Sequence, residues 1–246
     1  MAKIAVAGKG GVGKTTVVSL IIRGLVEKKK TPILAVDADP NSNLYLSLGL
    51  NFHNQTIADL REDVRSQVPP GFSRSDYFRL KLEEIIIENK DFDLLVMGRP
   101  EGPGCYCSVN NLLREYLSRL SQNYPYVIID CEAGLEHLSR RTTDDMDTLI
   151  LVTEAYFSSL IAVKNALEIA SKLPLRIKNK YIIINKVKSI DKRLKDELDK
   201  LKVPILAKIP YEKRFVLASQ NQENLLSIDI PKNIKKIIEQ ILEKIG

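Results

Sequence analysis

The sequence predicts an α/β fold built on a doubly wound, mainly parallel sheet with helices on both faces. Three observations predict it. Seven short, continuously apolar, β-branched runs are spread along the chain, as expected of strands buried on both faces. Segments long enough to serve as helical crossovers lie between them. A glycine-rich loop of defined spacing follows the first run directly.

The predicted strands are residues 4–7, 33–36, 94–97, 127–129, 149–152, 182–184 and 205–209, each bounded by turn or polar residues. The predicted helices are 15–28, 80–89, 108–121, 157–171, 191–201 and 231–245. Neither an internal repeat nor a linker composition divides the chain, so residues 1–246 read as one domain. Residues 49–79, which include Pro69-Pro70-Gly71, are too long for an ordinary βα loop and predict an excursion over the surface.

Hydrophobic residues make up 44% and charged residues 28% of the chain, which excludes a disordered, collagen-like or mucin-like protein. Lys and Arg number 37 against 31 Asp and Glu, a net charge of +6. Much of that excess sits in local runs, at residues 28–30 and 178–202, that read as solvated helix ends and connections, so no nucleic-acid partner is expected. Three cysteines do not make a disulfide framework, and an odd count suits a reducing compartment. The first residues lack the apolar run of a signal peptide. The longest nearly uncharged stretch, 148–163, contains Glu154 and falls short of the ~18 apolar residues of a membrane span. A cytoplasmic protein without a membrane partner is expected.

Gly8-Lys9-Gly10-Gly11-Val12-Gly13-Lys14-Thr15 matches G-x-x-x-x-G-K-[ST] between the first strand and the first helix. Its glycines let successive N–H groups turn toward an anion, and the helix N-terminus adds its positive dipole end. In that pattern Lys14 neutralises the β and γ phosphates of a nucleotide and the Thr15 hydroxyl ligates Mg²⁺. Asp130, at the end of the strand 127–129, stands where a carboxylate would hold that ion through water. Lys9 is not required by an ordinary phosphate loop.

The run Lys9-Gly10-Gly11-Val12-Gly13-Lys14-Thr15-Thr16 resembles the deviant Walker A motif of the MinD, ParA and nitrogenase-iron-protein superfamily. The resemblance implies a P-loop fold of MinD-like type, ATP and ADP as nucleotides with hydrolysis of ATP, and a homodimer in which Lys9 reaches the partner's nucleotide. Asp37-Ala38-Asp39-Pro40-Asn41 resembles that superfamily's switch I, which gives Asp39 the role of polarising the attacking water. Asn185 resembles the base-recognition asparagine, and Ile209-Pro210 looks like the loop that closes over adenine.

Cys105 and Cys107 lie in a Gly- and Pro-rich stretch after the third strand. Two thiolates cannot close a tetrahedral site, but a two-fold dimer would supply two more, giving one metal per two chains. Thiolates suit Zn²⁺, Cu(I), Fe–S clusters or square-planar Ni²⁺, and a close cysteine pair can equally be inert. The stretch Met97-Gly98-Arg99-Pro100-Glu101-Gly102-Pro103-Gly104-Cys105-Tyr106-Cys107, together with Asp130-Cys131-Glu132-Ala133-Gly134-Leu135-Glu136-His137, resembles the CooC-type ATPases that support nickel insertion into carbon monoxide dehydrogenase. That resemblance implies a metallochaperone that binds Ni²⁺ or Zn²⁺ through the paired cysteines. Its client would be carbon monoxide dehydrogenase or the related acetyl-CoA synthase. Cys131 reads as a packing residue and His137 as a polar helix-end residue.

Two other classes fit parts of the same sequence. A positioning ATPase acting on membrane or DNA would use the stripe Ile234, Ile237, Ile238, Ile241, Leu242 and Ile245 as an interfacial helix, although an ordinary sheet-covering helix needs the same stripe. An ATP-dependent reductase would hold a [4Fe–4S] cluster on four thiolates of a dimer.

Overall fold

The structure is a computed structural model that describes residues 1–52, 55–99, 117–132, 145–172 and 176–246. Seven parallel strands form one sheet: β1 (Ala2–Gly8), β2 (Ile33–Ala38), β3 (Phe92–Val96), β4 (Tyr126–Cys131), β5 (Asp145–Glu154), β6 (Arg176–Val187) and β7 (Ile205–Pro210). Their order is β3-β2-β4-β1-β5-β6-β7, so β1 is central and connections diverge on either side of it. Such a divergence opens a crevice at the carboxyl ends of the strands, where ligands bind in open α/β sheets.

The helices are α1 (Lys14–Glu27), α2 (Leu44–Ser47), α3 (Ile57–Ser66), α4 (Arg74–Ile85), α5 (Phe157–Lys172), α6 (Lys192–Lys200), α7 (Lys213–Gln220) and α8 (Lys232–Ile245). They cover both faces. Alternate residues of β1 point to opposite sides, and Ile4 and Val6 meet α1 and α8, whereas Ala5 and Ala7 belong to the core shared with α3, α4, α5 and α6. The α8 stripe is spent on packing: Ile234, Ile238, Ile241, Leu242 and Ile245 are buried. Gly24 of α1 provides the room, since a Cβ there would stand 2.4 Å from Ile238 Cγ2 and 2.8 Å from Leu242 Cδ1. Among the described residues, no helix is long and apolar enough to cross a membrane.

The expected surface excursion over 49–79 is corrected by two helices that pack on the core. A capping box starts α3: Thr56 Oγ1 accepts from Asp59 N at 3.2 Å, and Asp59 Oδ2 accepts from Thr56 N at 2.8 Å. Ser73 caps α4 by accepting from Asp76 N at 3.1 Å. Ile57, Leu60, Val64, Phe78 and Leu82 are buried, so five apolar side chains suffice to seat both helices. The helix expected at 80–89 therefore begins at Arg74 and stops at Ile85, because Ile87 exchanges two backbone hydrogen bonds of 2.9 Å with Leu94. Of the helix expected at 108–121, the described residues 117–121 are helical. The helix α7 was not expected; Ala218 is its one buried residue, and so little apolar patterning leaves no periodicity to read.

Candidate nucleotide-binding site

β1 hands the chain to the phosphate loop at Gly8, where a Cβ would meet Val152 O at 2.2 Å, so only glycine allows the loop to leave between β1 and β5. The loop ends at Gly13, which caps α1 with φ +90° and no capping side chain. The first-turn N–H groups of α1 are thereby left for an anion. Lys14 is buried, with Nζ donating to Lys9 O at 3.4 Å, while Lys9 itself is exposed.

Beneath the loop, Thr15 Oγ1 donates to Asp130 Oδ2 at 2.6 Å. Asp130 Oδ1 is buried and has no hydrogen-bond partner. Across the sheet, register pairs Asp130 of β4 with Asp37 of β2. Asp37 is fully buried, its Oδ1 accepting from Asp39 N at 3.1 Å and its Oδ2 from Leu44 N at 2.9 Å. Burial pushes the Asp37 carboxyl up to about 7, against the pull of these two N–H groups. The Asp130 carboxyl also rises to about 7, through burial first and the Asp37 charge second. Asp39 is less buried and accepts from Asn41 N and Nδ2, both at 2.9 Å, through one oxygen.

A cavity of about 670 Å³ runs from this end across α1 to α7. Gly10, Gly11, Gly13, Lys14, Thr15, Thr16 and Asp39 line it, together with Asn185, Pro210, Tyr211 and Phe215. Val12 is buried beneath the loop, where its carbonyl accepts from Asn185 Nδ2 at 2.8 Å. Lys188 Nζ stands 4.9 Å over the Tyr211 ring, a cation–π contact at the rim. The far wall is tied down: Leu225 N donates to Ser47 O at 2.8 Å, and Arg23 Nη1 of α1 donates to Leu225 O at 3.0 Å and Ile228 O at 2.6 Å.

The pattern of the CobQ/CobB/MinD/ParA nucleotide binding domain matches residues 3–226. The chain belongs to that family. It is 44% identical to an uncharacterized ATP-binding protein of Methanocaldococcus jannaschii, over 98% of this chain and 97% of that protein. It is 31% identical to the carbon monoxide dehydrogenase accessory protein CooC of Rhodospirillum rubrum, over 70% of this chain and 74% of that protein. Its fold is similar to that of the septum site-determining protein MinD of Pyrococcus horikoshii in complex with Mg-ADP, with a TM-score of 0.71, 24% identity and 99% and 95% of the two chains covered. As a member of the CobQ/CobB/MinD/ParA family, the chain is an ATPase.

The residues present fit magnesium. An orphaned buried carboxylate oxygen on Asp130 and the adjoining Thr15 hydroxyl are hard oxygen donors, and Mg²⁺ is held by one or two such groups with water and phosphate completing its shell. Of the expected site residues, Lys14, Thr15, Thr16, Asp39, Asn185 and Pro210 line one cavity and Asp130 lies directly beneath it. Cys105 and Cys107, and likewise His137, lie outside the described residues. Cys131 is fully buried and its thiol is pushed up by burial, as befits a packing residue. Sequence reading missed the buried partner Asp37, the lining residues Tyr211 and Phe215, and the pair Lys186 and Glu154. Asp37 had a readable signal, since an Asp two residues before another at a strand end is placed to bind the following turn's N–H groups.

Proposed function

We propose that this ATPase is a cytoplasmic metallochaperone that works as a homodimer. It binds Ni²⁺ or Zn²⁺ at Cys105 and Cys107 of both chains and supports nickel insertion into carbon monoxide dehydrogenase or the related acetyl-CoA synthase. The observation that carries this reading is the Cys105-Tyr106-Cys107 run in a chain 31% identical to a carbon monoxide dehydrogenase accessory protein. The run follows β3 in the chain, and the carboxyl ends of β3 and β1 point to the same end of the parallel sheet.

Within the ATPase site, Gly10 to Gly13 cradle the phosphates with their backbone N–H groups. Lys14 neutralises the β and γ phosphates, and Lys9 reaches the partner chain's nucleotide. Thr15 and Asp130 hold magnesium, with Thr16 beside them; bound there, the ion neutralises charge on the phosphates. Asp39, less buried than Asp37 and facing the cavity, orients the attacking water. Asn185 and Pro210 contact the base.

Magnitudes explain why a metal carrier needs a switch. Structural thiolate zinc sites bind with roughly 10–16 kcal/mol, too tightly for prompt release. Driving a site from mostly closed to mostly open takes about 5.5 kcal/mol of differential binding, within the reach of nucleotide contacts. The rival of a membrane-positioning ATPase loses its main support, because the α8 stripe is buried against α1 and β7.

The test is metal content and oligomer mass of the purified protein with and without ATP. One Ni²⁺ or Zn²⁺ per two chains, with an affinity that changes between the ATP and ADP states, is expected. Equal affinity in both states, or a visible iron–sulfur absorbance after anaerobic purification, would overturn the proposal.

A further inference from the structure

Two consecutive side chains at the end of β6 grip the phosphate loop. Asn185 Nδ2 donates to Val12 O at 2.8 Å, and Lys186 Nζ donates to Gly11 O at 2.6 Å. In a trans peptide the carbonyl and the next N–H point in opposite directions. Fixing the Gly11 and Val12 carbonyls therefore fixes the Val12 and Gly13 N–H groups on the other side of the loop. The Val12 N–H indeed points to Lys9 O, at a long 3.5 Å, where Lys14 Nζ also arrives at 3.4 Å. A phosphate oxygen entering there would be a closer and stronger acceptor.

Lys186 is itself held. Its backbone φ is +54°, a region few non-glycine residues adopt, and its Nζ also donates to Glu154 Oε1 at 2.7 Å. Strand register pairs Glu154 of β5 with Asn185 of β6, which puts the carboxylate beside the lysine. Three neighbouring structures, the ends of β5 and β6 and the loop after β1, thus meet at one ammonium group.

We propose that Lys186, oriented by Glu154, is a positioning residue of the ATPase: it holds the Gly11 carbonyl away from the anion and so presents the Val12 N–H to it. The proposal rests on the nucleotide reading of the loop. It assigns Lys186 an action through the backbone, with no direct contact to phosphate.

The experiment is Mg-ADP and Mg-ATP affinity of the full chain, with ATPase kinetics, for Lys186→Met, Lys186→Arg and Glu154→Gln. Losing a charged hydrogen bond predicts that Lys186→Met weakens both nucleotides about tenfold. KM should rise while kcat changes far less, and Lys186→Arg should recover most of the loss. The ligand-free melting temperature should move little, because a partly exposed ion pair adds little stability. Glu154→Gln should weaken binding by about threefold, since Gln keeps the acceptor and loses its charge. Wild-type affinity in Lys186→Met would overturn the proposal. So would tighter binding in Glu154→Gln, the sign of an ammonium freed to reach phosphate itself. Absence of Mg-ADP binding by the wild-type chain would instead overturn the nucleotide reading, and this proposal with it.

Discussion

The Thr15 hydroxyl donates to the Asp130 carboxylate at 2.6 Å, bridging 115 positions of sequence and joining the first turn of α1 to the end of β4. The bond leaves one Asp130 oxygen without a partner. Thr15→Val and Asp130→Asn should each lower magnesium-dependent hydrolysis by about a hundredfold or more, as expected when charge stabilisation worth several kcal/mol is lost. Nucleotide binding without magnesium should survive, which a titration in the presence of a chelator checks. Retention of wild-type hydrolysis by Asp130→Asn would show that the ion is held elsewhere.

Asp37 and Asp130 face each other on neighbouring strands, and burial holds both carboxyls near 7. Because these folded-state values lie above the ordinary carboxylate value, the folded protein binds more protons than the unfolded chain between about pH 4 and 7. Stability contributed by the protonated pair is full below that window and is lost as pH rises through it. The ligand-free melting temperature should therefore fall between pH 5 and 8, on the order of 5 °C. Asp130→Asn should flatten the slope, and a scanning-calorimetry series across this range reads both outcomes.

Cys105→Ala and Cys107→Ala should each remove the metal from the dimer and leave Mg-ADP affinity within about twofold of wild type, since the nucleotide contacts lie on other residues. Metal analysis and nucleotide titration on the same preparation separate the two functions. Lys14→Ala should instead lose nucleotide binding, and with it any dependence of metal affinity on ATP.

Leu242 and Ile238 pack against Gly24, which fixes how closely α8 approaches α1. Leu242→Ala should cost about 2–5 kcal/mol of stability by opening a cavity. A urea melt reads this loss. A variant as stable as the wild type would mean that the stripe is not needed for the fold and would restore the membrane reading, which liposome sedimentation then tests.

The parts legible in the sequence share one cause. Strands buried on both faces must be continuously apolar, and a phosphate loop must keep its glycines at fixed spacing, so both announce themselves locally. α3 and α4 were obscured because Ile57, Leu60 and Val64, and then Phe78 and Leu82, are sparse among charged residues and separated by Pro69-Pro70-Gly71. The cap signals Thr56 with Asp59 and Ser73 with Asp76 were there to be read. Lys186 and Glu154 could not be read together, because 32 positions separate them and only the register of β5 on β6 makes them neighbours.

The two walls of the cavity are held by different groups. Residues 225–228 are tied to α1 through Arg23 and to α2 through Ser47. The opposing turn at 39–43 is held by two carboxylates, Asp37 accepting from Asp39 N and Leu44 N and Asp39 accepting from Asn41, with Asn41 and Asn43 exposed. Asp37 thus joins the turn that carries Asp39 to the strand register that carries Asp130.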